Sequence, residues 1–158
     1  MKAPMTNAIR LLRKCNIPYE LMEYKYEEHG GTRVSARELG VDEHRVIKTI
    51  LMQTDTKVPF VVLMHGDREI STKEMARVLG VKSVHPCEPK DADKYSGYHV
   101  GGTSPFGTKK AMHVYVEATI LELPEIYINA GSRGLLFKMN PNDLSQALPT
   151  TCVHVAQG

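Results

Sequence analysis

Many apolar residues lie in short segments that are rich in β-branched side chains and bounded by Gly, Pro, Asn or Asp. Segments of this length and composition are typical of β-strands. Strands are therefore predicted at residues 19–24, 46–53, 58–65, 112–116, 125–129 and 135–139. The polar residues 54–57 join the second of these strands to the third, which indicates a β-hairpin.

Other segments carry apolar residues at helical spacing between clear start and stop signals. Thr6 is the predicted cap of a first helix that runs through Cys15. Residues 71–74 form a capping box for a helix that stops at Gly80. Shorter helices are predicted at residues 35–39, for one turn after Asp42, at 89–95, and after the cap Asn140 up to Leu148. Residues 27–32 are predicted to be a polar loop.

The predicted elements follow one another without a linker or a low-complexity segment. A chain of 158 residues with 42% hydrophobic residues is long enough to bury one core of ordinary size. Because strands outnumber long helices, the pattern predicts a single α/β domain that extends over residues 1–158.

Composition and charge argue against several classes of protein. A net charge of +2 gives no general affinity for nucleic acids, so any basic surface has to be local. The three cysteines are widely spaced and form no CxxC pair, so we expect neither a disulfide framework nor a zinc site. No metal and no cofactor are expected. No apolar segment approaches the roughly 20 residues that span a bilayer, and no signal peptide is recognisable. A cytoplasmic protein without a membrane partner is expected.

Lys48 lies in a strand that is apolar on both faces. Its same-face neighbours Val46 and Ile50 are apolar, and so are most residues of the opposite face, which places this strand inside the sheet. An ammonium group buried without a partner is strongly destabilising. Lys48 therefore needs an acidic side chain, an anionic ligand, or a route by which its head group reaches solvent at the end of the strand.

Residues 97–110, GYHVGGTSPFGTKK, form a segment that we call the glycine loop. Two interpretations are open. Its backbone N–H groups can form a concave site for a phosphate or a carbonyl oxygen, or the glycines can simply make a tight turn. The segment lacks the Lys-Ser/Thr ending of a P-loop, and the chain lacks GxGxxG, which excludes the standard nucleotide motifs. Combined with Lys48, the loop favours a site for a phosphate or an ester carbonyl.

The remaining reactive side chains give weak signals. Cys87 has no local signature of a nucleophile and is interpreted as an inert thiol. No serine lies in a GxSxG setting. If the chain is an enzyme, it is expected to act by orientation and electrostatics rather than through a catalytic triad.

Several motifs follow one another in a fixed order along nearly the whole chain. They are Ile17-Pro18-Tyr19, Tyr24, residues 46–51 around Lys48, the glycine loop with Lys109-Lys110, and residues 126–131 leading into Arg133-Gly134-Leu135. In this order and spacing the chain resembles the YbaK-type aminoacyl-tRNA deacylases, which are related to the editing domain inserted in bacterial prolyl-tRNA synthetases.

The resemblance implies a mixed, mostly antiparallel and partly barrel-like sheet surrounded by helices, with the site in a cleft beside the sheet. It also implies an enzyme that removes a wrongly attached amino acid from tRNA, typically cysteine from proline tRNA, beside the prolyl-tRNA synthetase as a partner. In that family the thiol of the cysteinyl group attacks its own ester carbonyl and leaves as a cyclic thiolactone. The enzyme then acts mainly by positioning its substrate.

The matching positions imply roles for individual residues. Lys48 would hold the terminal nucleotide or the ester, and the amides of Gly101 and Gly102 would donate to the carbonyl oxygen. The other residues in contact with the substrate would be Tyr24, Thr49, Thr103, Ser104, Asn129, Gly131 and Leu136. The residues that dock the tRNA would be Lys109, Lys110 and Arg133.

The chain departs from the family at one part of the pocket wall. The cysteine-specific members carry Ser-Gly-Gly where this chain has Asn129-Ala130-Gly131, and a small polar residue where it has Leu136. These differences leave two alternatives open. One is a trans-editing deacylase that hydrolyses esters of alanine, serine, threonine or a non-protein amino acid. The other is a non-catalytic module that binds tRNA or a synthetase.

Overall fold

The chain folds around a mixed β-sheet. The structure is a computed structural model that describes residues 4–158. Its strands are β1 (Glu20–Glu23), β2 (Val46–Thr54), β3 (Pro59–His65), β4 (Glu69–Ile70), β5 (Val84–Pro86), β6 (Val114–Glu117), β7 (Ile126–Ser132), β8 (Leu135–Met139), β9 (Thr150–Val153) and β10 (Ala156–Gln157). The main sheet has the order β1-β8-β7-β2-β3-β6-β9, with β5 paired to β2, while β4 and β10 form a separate pair.

Five helices pack against this sheet: α1 (Asn7–Lys14), α2 (Gly31–Leu39), α3 (Thr72–Leu79), α4 (Pro89–Ser96) and α5 (Leu144–Ala147). Thr6 caps α1 by accepting a hydrogen bond from the Ile9 amide, and Ser71 caps α3 in the same way through the Glu74 amide. The predicted α/β class with a mixed sheet and surrounding helices is confirmed. No helix among the described residues has the length and apolar character needed to cross a membrane.

Strand β2 is buried on both faces, as its sequence predicts. Ile47 and Leu51 belong to a hydrophobic cluster that includes residues of α1, whereas Met52 belongs to a second cluster that includes residues of α3. The first cluster also holds Phe106 and Phe137, whose ring centroids lie 5.8 Å apart in an edge-to-face contact. Burial of one such ring stabilises the fold by about 1.5–3 kcal/mol.

The structure differs from the sequence prediction at short or weakly marked elements. Helix α2 begins at Gly31 and not at Ser35, and no side-chain cap marks that start. The last predicted helix is a 3-10 turn, Pro141–Asp143, followed by α5. The sequence prediction also missed β4, β5, β9 and β10. These strands have two to four residues each, too few for an alternating pattern to be recognised.

A buried polar network closes the end of β3. His65 is 1% exposed. Its Nδ1 lies 2.7 Å from the carbonyl oxygen of His44, and its Nε2 lies 2.7 Å from Thr119 Oγ1. Beside it, the carboxylate of Glu117 accepts hydrogen bonds from the amides of Val155, just before β10, and Ala156, its first residue. Burial lowers the pKa of His65, because the charged imidazolium is poorly solvated there.

We expect the free energy of unfolding to decrease as the pH is lowered from about 7.5 to about 5.5. The pKa of His65 is lower in the folded chain than in the unfolded chain, so the unfolded state takes up the proton first. One such proton contributes at most about 1.4 kcal/mol per pH unit. Urea unfolding at several pH values measures the slope. The His65→Gln variant should show a shallower slope, and equal slopes in the two proteins would contradict this prediction.

Candidate functional site

A cavity opens where β2 lacks a neighbouring strand. On one edge, β2 pairs with β7 at Val46 and Ile47 and with β5 from Met52 onward. Within residues 4–158, no strand pairs with this edge between these two contacts. The cavity at this gap has a volume of about 800 Å³. Lys48 and Thr49 both line it. Successive side chains of a strand lie on opposite faces of the sheet, so the gap reaches through the sheet from one face to the other.

The other walls come from segments that are distant in sequence. The loop before α2 contributes Tyr24 and Tyr26, and the segment between β5 and α4 contributes Cys87. The remaining walls are formed by the glycine loop and by the β7–β8 hairpin. The predicted site residues that share this cavity are Tyr24, Lys48, Thr49, Gly101, Thr103, Asn129, Arg133 and Leu136.

The ammonium group of Lys48 has two polar partners, which lie outside the cavity wall. Nζ donates a hydrogen bond to the carbonyl oxygen of Arg68 and lies 3.9 Å from Glu69 Oε1. The side chain of Lys48 is 22% exposed and that of Glu69 is 78% exposed. An ion pair with such an exposed partner contributes about 0–1 kcal/mol. Lys48 therefore has the acidic partner that its position requires, and an anionic ligand can replace that partner at little cost.

The glycine loop is held against the β7–β8 hairpin through two of its carbonyl groups. Asn129 Nδ2 donates to the carbonyl oxygen of Gly101 at 3.2 Å, and Arg133 Nε donates to that of Val100 at 2.9 Å. The C=O and the following N–H of a trans peptide point in opposite directions, so the bond from Arg133 also fixes the N–H of Gly101. The amides of Gly101 and Thr103 donate to no other described residue. The amide of Val100, which also lines the cavity, donates to no described residue either.

Three predicted site residues are used by the protein itself instead. The amide of Gly102 donates to the carbonyl oxygen of His99 at 2.8 Å, so it is not free for a substrate carbonyl. Ser104 is fully buried, and its hydroxyl accepts a hydrogen bond from an amide of the same loop. The amide of Gly131 donates to Asn129 Oδ1 at 2.7 Å. None of the three lines the cavity, and their roles in substrate contact stay predictions.

Lys109 and Lys110 are exposed and lie outside the cavity wall. Their backbone amides donate to the carbonyl oxygens of Ser96 and Tyr95, which ties this end of the glycine loop to the end of α4. Their side chains are left available to a partner. A role of these lysines and of Arg133 in tRNA docking stays a prediction.

Two ionisable groups of the cavity stay protonated near neutral pH. Burial raises the pKa of the Cys87 thiol, and the carboxylate of Asp91 raises it further. A protonated thiol is a weak nucleophile, in agreement with the interpretation of Cys87 as inert. Its place in the wall was missed because β5, which brings it to β2, is too short to predict. Burial also raises the pKa of Tyr24, which keeps its hydroxyl a hydrogen-bond donor.

The arrangement suits electrostatic stabilisation of a polar, anionic group. It combines the ammonium of Lys48 with the free amides of the glycine loop, and a carbonyl oxygen that gains negative charge is stabilised by such donors. No cluster of His, Cys, Asp and Glu in the described part of the chain could hold a metal ion. A second cavity, of about 580 Å³, lies beside His65. There the buried side chains of His65 and Glu117 are hydrogen-bonded within the protein.

Known proteins resemble this chain in sequence and in fold. A family model described as an aminoacyl-tRNA editing domain matches residues 30–147. The chain is 31% identical over 137 residues to the candidate Cys-tRNA(Pro)/Cys-tRNA(Cys) deacylase EbsC of Enterococcus faecalis, a match that covers 86% of this chain and 84% of that protein. It is 29% identical over 104 residues to the proline–tRNA ligase of Lactobacillus helveticus. That match covers 65% of this chain and 18% of the ligase.

The fold also matches a solved structure. The crystal structure of a candidate trans-editing enzyme for prolyl-tRNA synthetase superposes with a TM-score of 0.85. The superposition covers 99% of this chain and 100% of that one, at 17% sequence identity. At this low identity the likeness shows a shared fold.

Gly101→Ala should distort the glycine loop and destabilise the protein. A Cβ at this position would overlap with the hydroxyl end of the Tyr26 side chain, and the φ angle of +90° is one that L-residues rarely adopt. We expect the unfolding free energy, measured in urea, to fall by about 1–3 kcal/mol. Gly40→Ala is the matched control, because its φ is also positive but no atom lies within 4 Å of the added Cβ. A loss no larger than that of the control would contradict this prediction.

Proposed function

Because the chain belongs to the aminoacyl-tRNA editing domain family, we propose that it is a trans-editing deacylase that cleaves the ester bond of a mischarged tRNA. The observation that carries this proposal is the cavity at the gap of β2, where Lys48 and the free amides of the glycine loop meet. An aminoacyl-tRNA end offers an anionic phosphate and an ester carbonyl. These groups match an ammonium and backbone N–H donors.

The amino acid that we propose as the main substrate is cysteine attached to proline tRNA. The relative from Enterococcus faecalis is named for cysteine esters of proline and cysteine tRNA. In the reaction, the cysteinyl sulfur forms a bond to the ester carbonyl carbon and the bond from that carbon to the ribose oxygen breaks. The thiol proton ends on the ribose hydroxyl. Gly101 and Thr103 stabilise the oxyanion, and Lys48 orients the terminal nucleotide.

A second candidate substrate is an ester of alanine. Leu136 is 4% exposed and presents an apolar side chain to the cavity, which suits a small apolar amino acid. Alanine has no nucleophilic side chain, so its removal needs water and releases the free amino acid. The two candidates are therefore separated by their products.

The partner that we propose is the 3′ end of tRNA, with prolyl-tRNA synthetase as a second protein in the reaction. The match to proline–tRNA ligases supports the choice of tRNA. The exposed Lys109 and Lys110 and the guanidinium of Arg133 offer positive charge for the phosphate backbone.

Lys48→Ala should lower the rate of deacylation by at least about 100-fold, because it removes the cation of the cavity. The unfolding curve in urea should change little, since the ion pair that is lost is largely exposed. Release of labelled amino acid from charged tRNA measures the rate. Lys82→Ala, at an exposed lysine outside the cavity, is the control and should keep full activity. Full activity of Lys48→Ala would rule out the proposed mechanism.

Proline tRNA charged separately with cysteine, alanine and serine tests the substrate. We expect the cysteine ester to disappear fastest and to give a thiolactone, which mass spectrometry identifies. Faster loss of alanine with release of the free amino acid would select the second candidate. No turnover of any of the three esters would contradict the deacylase proposal and favour a module that only binds tRNA.

A further inference from the structure

The backbone groups of β2 alternate between its two edges. The Gly66 amide donates to the carbonyl oxygen of Val46 at 2.7 Å, and the Thr54 amide donates to that of Val58 at 3.1 Å. Both bonds fit the register of the hairpin, in which Lys48 lies opposite Met64. In an antiparallel pair, the N–H and C=O of one residue face the same edge, and the next residue faces the other edge. Even-numbered residues of β2 therefore face β3, and odd-numbered residues face away.

Thr49 is the odd-numbered residue that falls in the gap. Ile47 pairs with β7, and the carbonyl oxygen of Leu51 accepts a hydrogen bond from the Cys87 amide at 3.0 Å. Between them, no strand within residues 4–158 pairs with Thr49 on this edge. Its side-chain Oγ1 is also buried and has no hydrogen-bond partner in the described structure. Thr49 thus turns its main-chain N–H and C=O toward the gap that it lines, where no strand ladder covers them, and its buried hydroxyl has no partner either.

Unpaired polar groups inside a protein are costly, at about 1–3 kcal/mol each. A concentration of them at one residue of a central strand indicates that something else completes their hydrogen bonds. We propose that the aminoacyl group of the substrate occupies the gap as one residue of the missing strand. Its α-ammonium donates to the C=O of Thr49, and its ester carbonyl accepts from the N–H of Thr49, as in a hydrogen-bonded antiparallel pair.

This inference rests on the proposed function and names the part of the substrate that β2 recognises. A carbonyl oxygen has two lone pairs, so the ester carbonyl can accept from Thr49 and from the free amide of Gly101 together.

Carboxylates at the cavity are the competing partners for the α-ammonium. Glu27 and Glu28 both line the cavity, and both are exposed. The carboxylate of Glu27 already forms an ion pair with Arg37. The remaining carboxylate, that of Glu28, is in solvent, where a charge pair contributes little. Thr49 is half-buried, and its main-chain acceptor is therefore the stronger site.

Amide hydrogen exchange of the free protein, followed by NMR, tests the unpaired backbone without any need for activity. The N–H groups of Lys48 and Ile50 face β3 and serve as internal controls. We expect the Thr49 amide to exchange at least about 100-fold faster than these two. Exchange of Thr49 as slow as that of its neighbours would overturn the inference.

A non-cleavable probe tests the ligand. The probe is adenosine that carries L-alanine on a 3′ nitrogen through an amide bond, and its control carries lactate, which has a hydroxyl in place of the α-ammonium. We expect the alanyl probe to slow exchange of the Thr49 amide at least about tenfold and to bind at least about tenfold more tightly than the lactyl probe. Binding without slower exchange at Thr49, or equal affinity of the two probes, would overturn the inference.

Two variants separate the contribution of the Thr49 backbone to probe binding from the contributions of the Thr49 and Glu28 side chains. Thr49→Val keeps the main chain and the shape of the residue, so the alanyl probe should still slow exchange at position 49. Glu28→Gln should leave the affinity for the alanyl probe unchanged. If Glu28→Gln weakened binding of the alanyl probe as much as replacing the alanyl probe by the lactyl probe does, the α-ammonium would be assigned to the carboxylate of Glu28 instead.

Failure of the proposed function would look different from failure of this inference. A wild-type protein that cleaves no ester but shows fast Thr49 exchange, slowed by the alanyl probe, would keep the binding site and remove the reaction. A protein that cleaves aminoacyl-tRNA but does not bind the alanyl probe at millimolar concentration would keep the reaction and overturn the site.

Discussion

The site depends on how the backbone hydrogen bonds of strand β2 are satisfied. Buried N–H and C=O groups need partners, and β2 finds them along its whole length at β3 but in two separate pieces, β7 and β5, on the other edge. The space between these pieces is the cavity. Because the gap lies in the middle of a buried strand, the cavity receives side chains from both faces of the sheet together with main-chain groups. A continuous sheet at this position would leave no site.

The glycine loop is oriented before any ligand arrives. Its carbonyl groups at Val100 and Gly101 are held by Arg133 and Asn129, and Tyr26 packs where a Cβ of Gly101 would lie. Each of these hydrogen bonds contributes only about 0.5–1.5 kcal/mol to stability. Their importance is directional, since donors that already point at the site need no reorganisation when charge develops on a substrate. The guanidinium of Arg133 also stacks over the Tyr26 ring at 5.2 Å, which links the three supports.

The features of the fold that depend on local sequence signals could be predicted from the sequence. The features that depend on contacts between residues distant in the chain could not. The caps at Thr6 and Ser71 and the β2–β3 hairpin depend on residues close together in the chain. The internal place of Lys48 follows from the alternation of its strand. How the glycine loop is oriented could not be predicted, because Asn129 and Arg133 lie 28 and 33 positions away from the carbonyls that they hold. The gap beside Thr49 also depends on β5, which has only three residues.

The position of the Lys48 ammonium is set by main chain more than by charge. Its hydrogen-bond acceptor is the carbonyl oxygen of Arg68, next to β4, and β4 is held by pairing with β10. The start of β10 is in turn fixed by the buried carboxylate of Glu117, close to the His65 network. The residues around the second cavity therefore help to position Lys48 at the first cavity. An exposed Glu69 is sufficient as counter-charge because it does not have to position the lysine. It can give way when an anionic ligand enters the cavity.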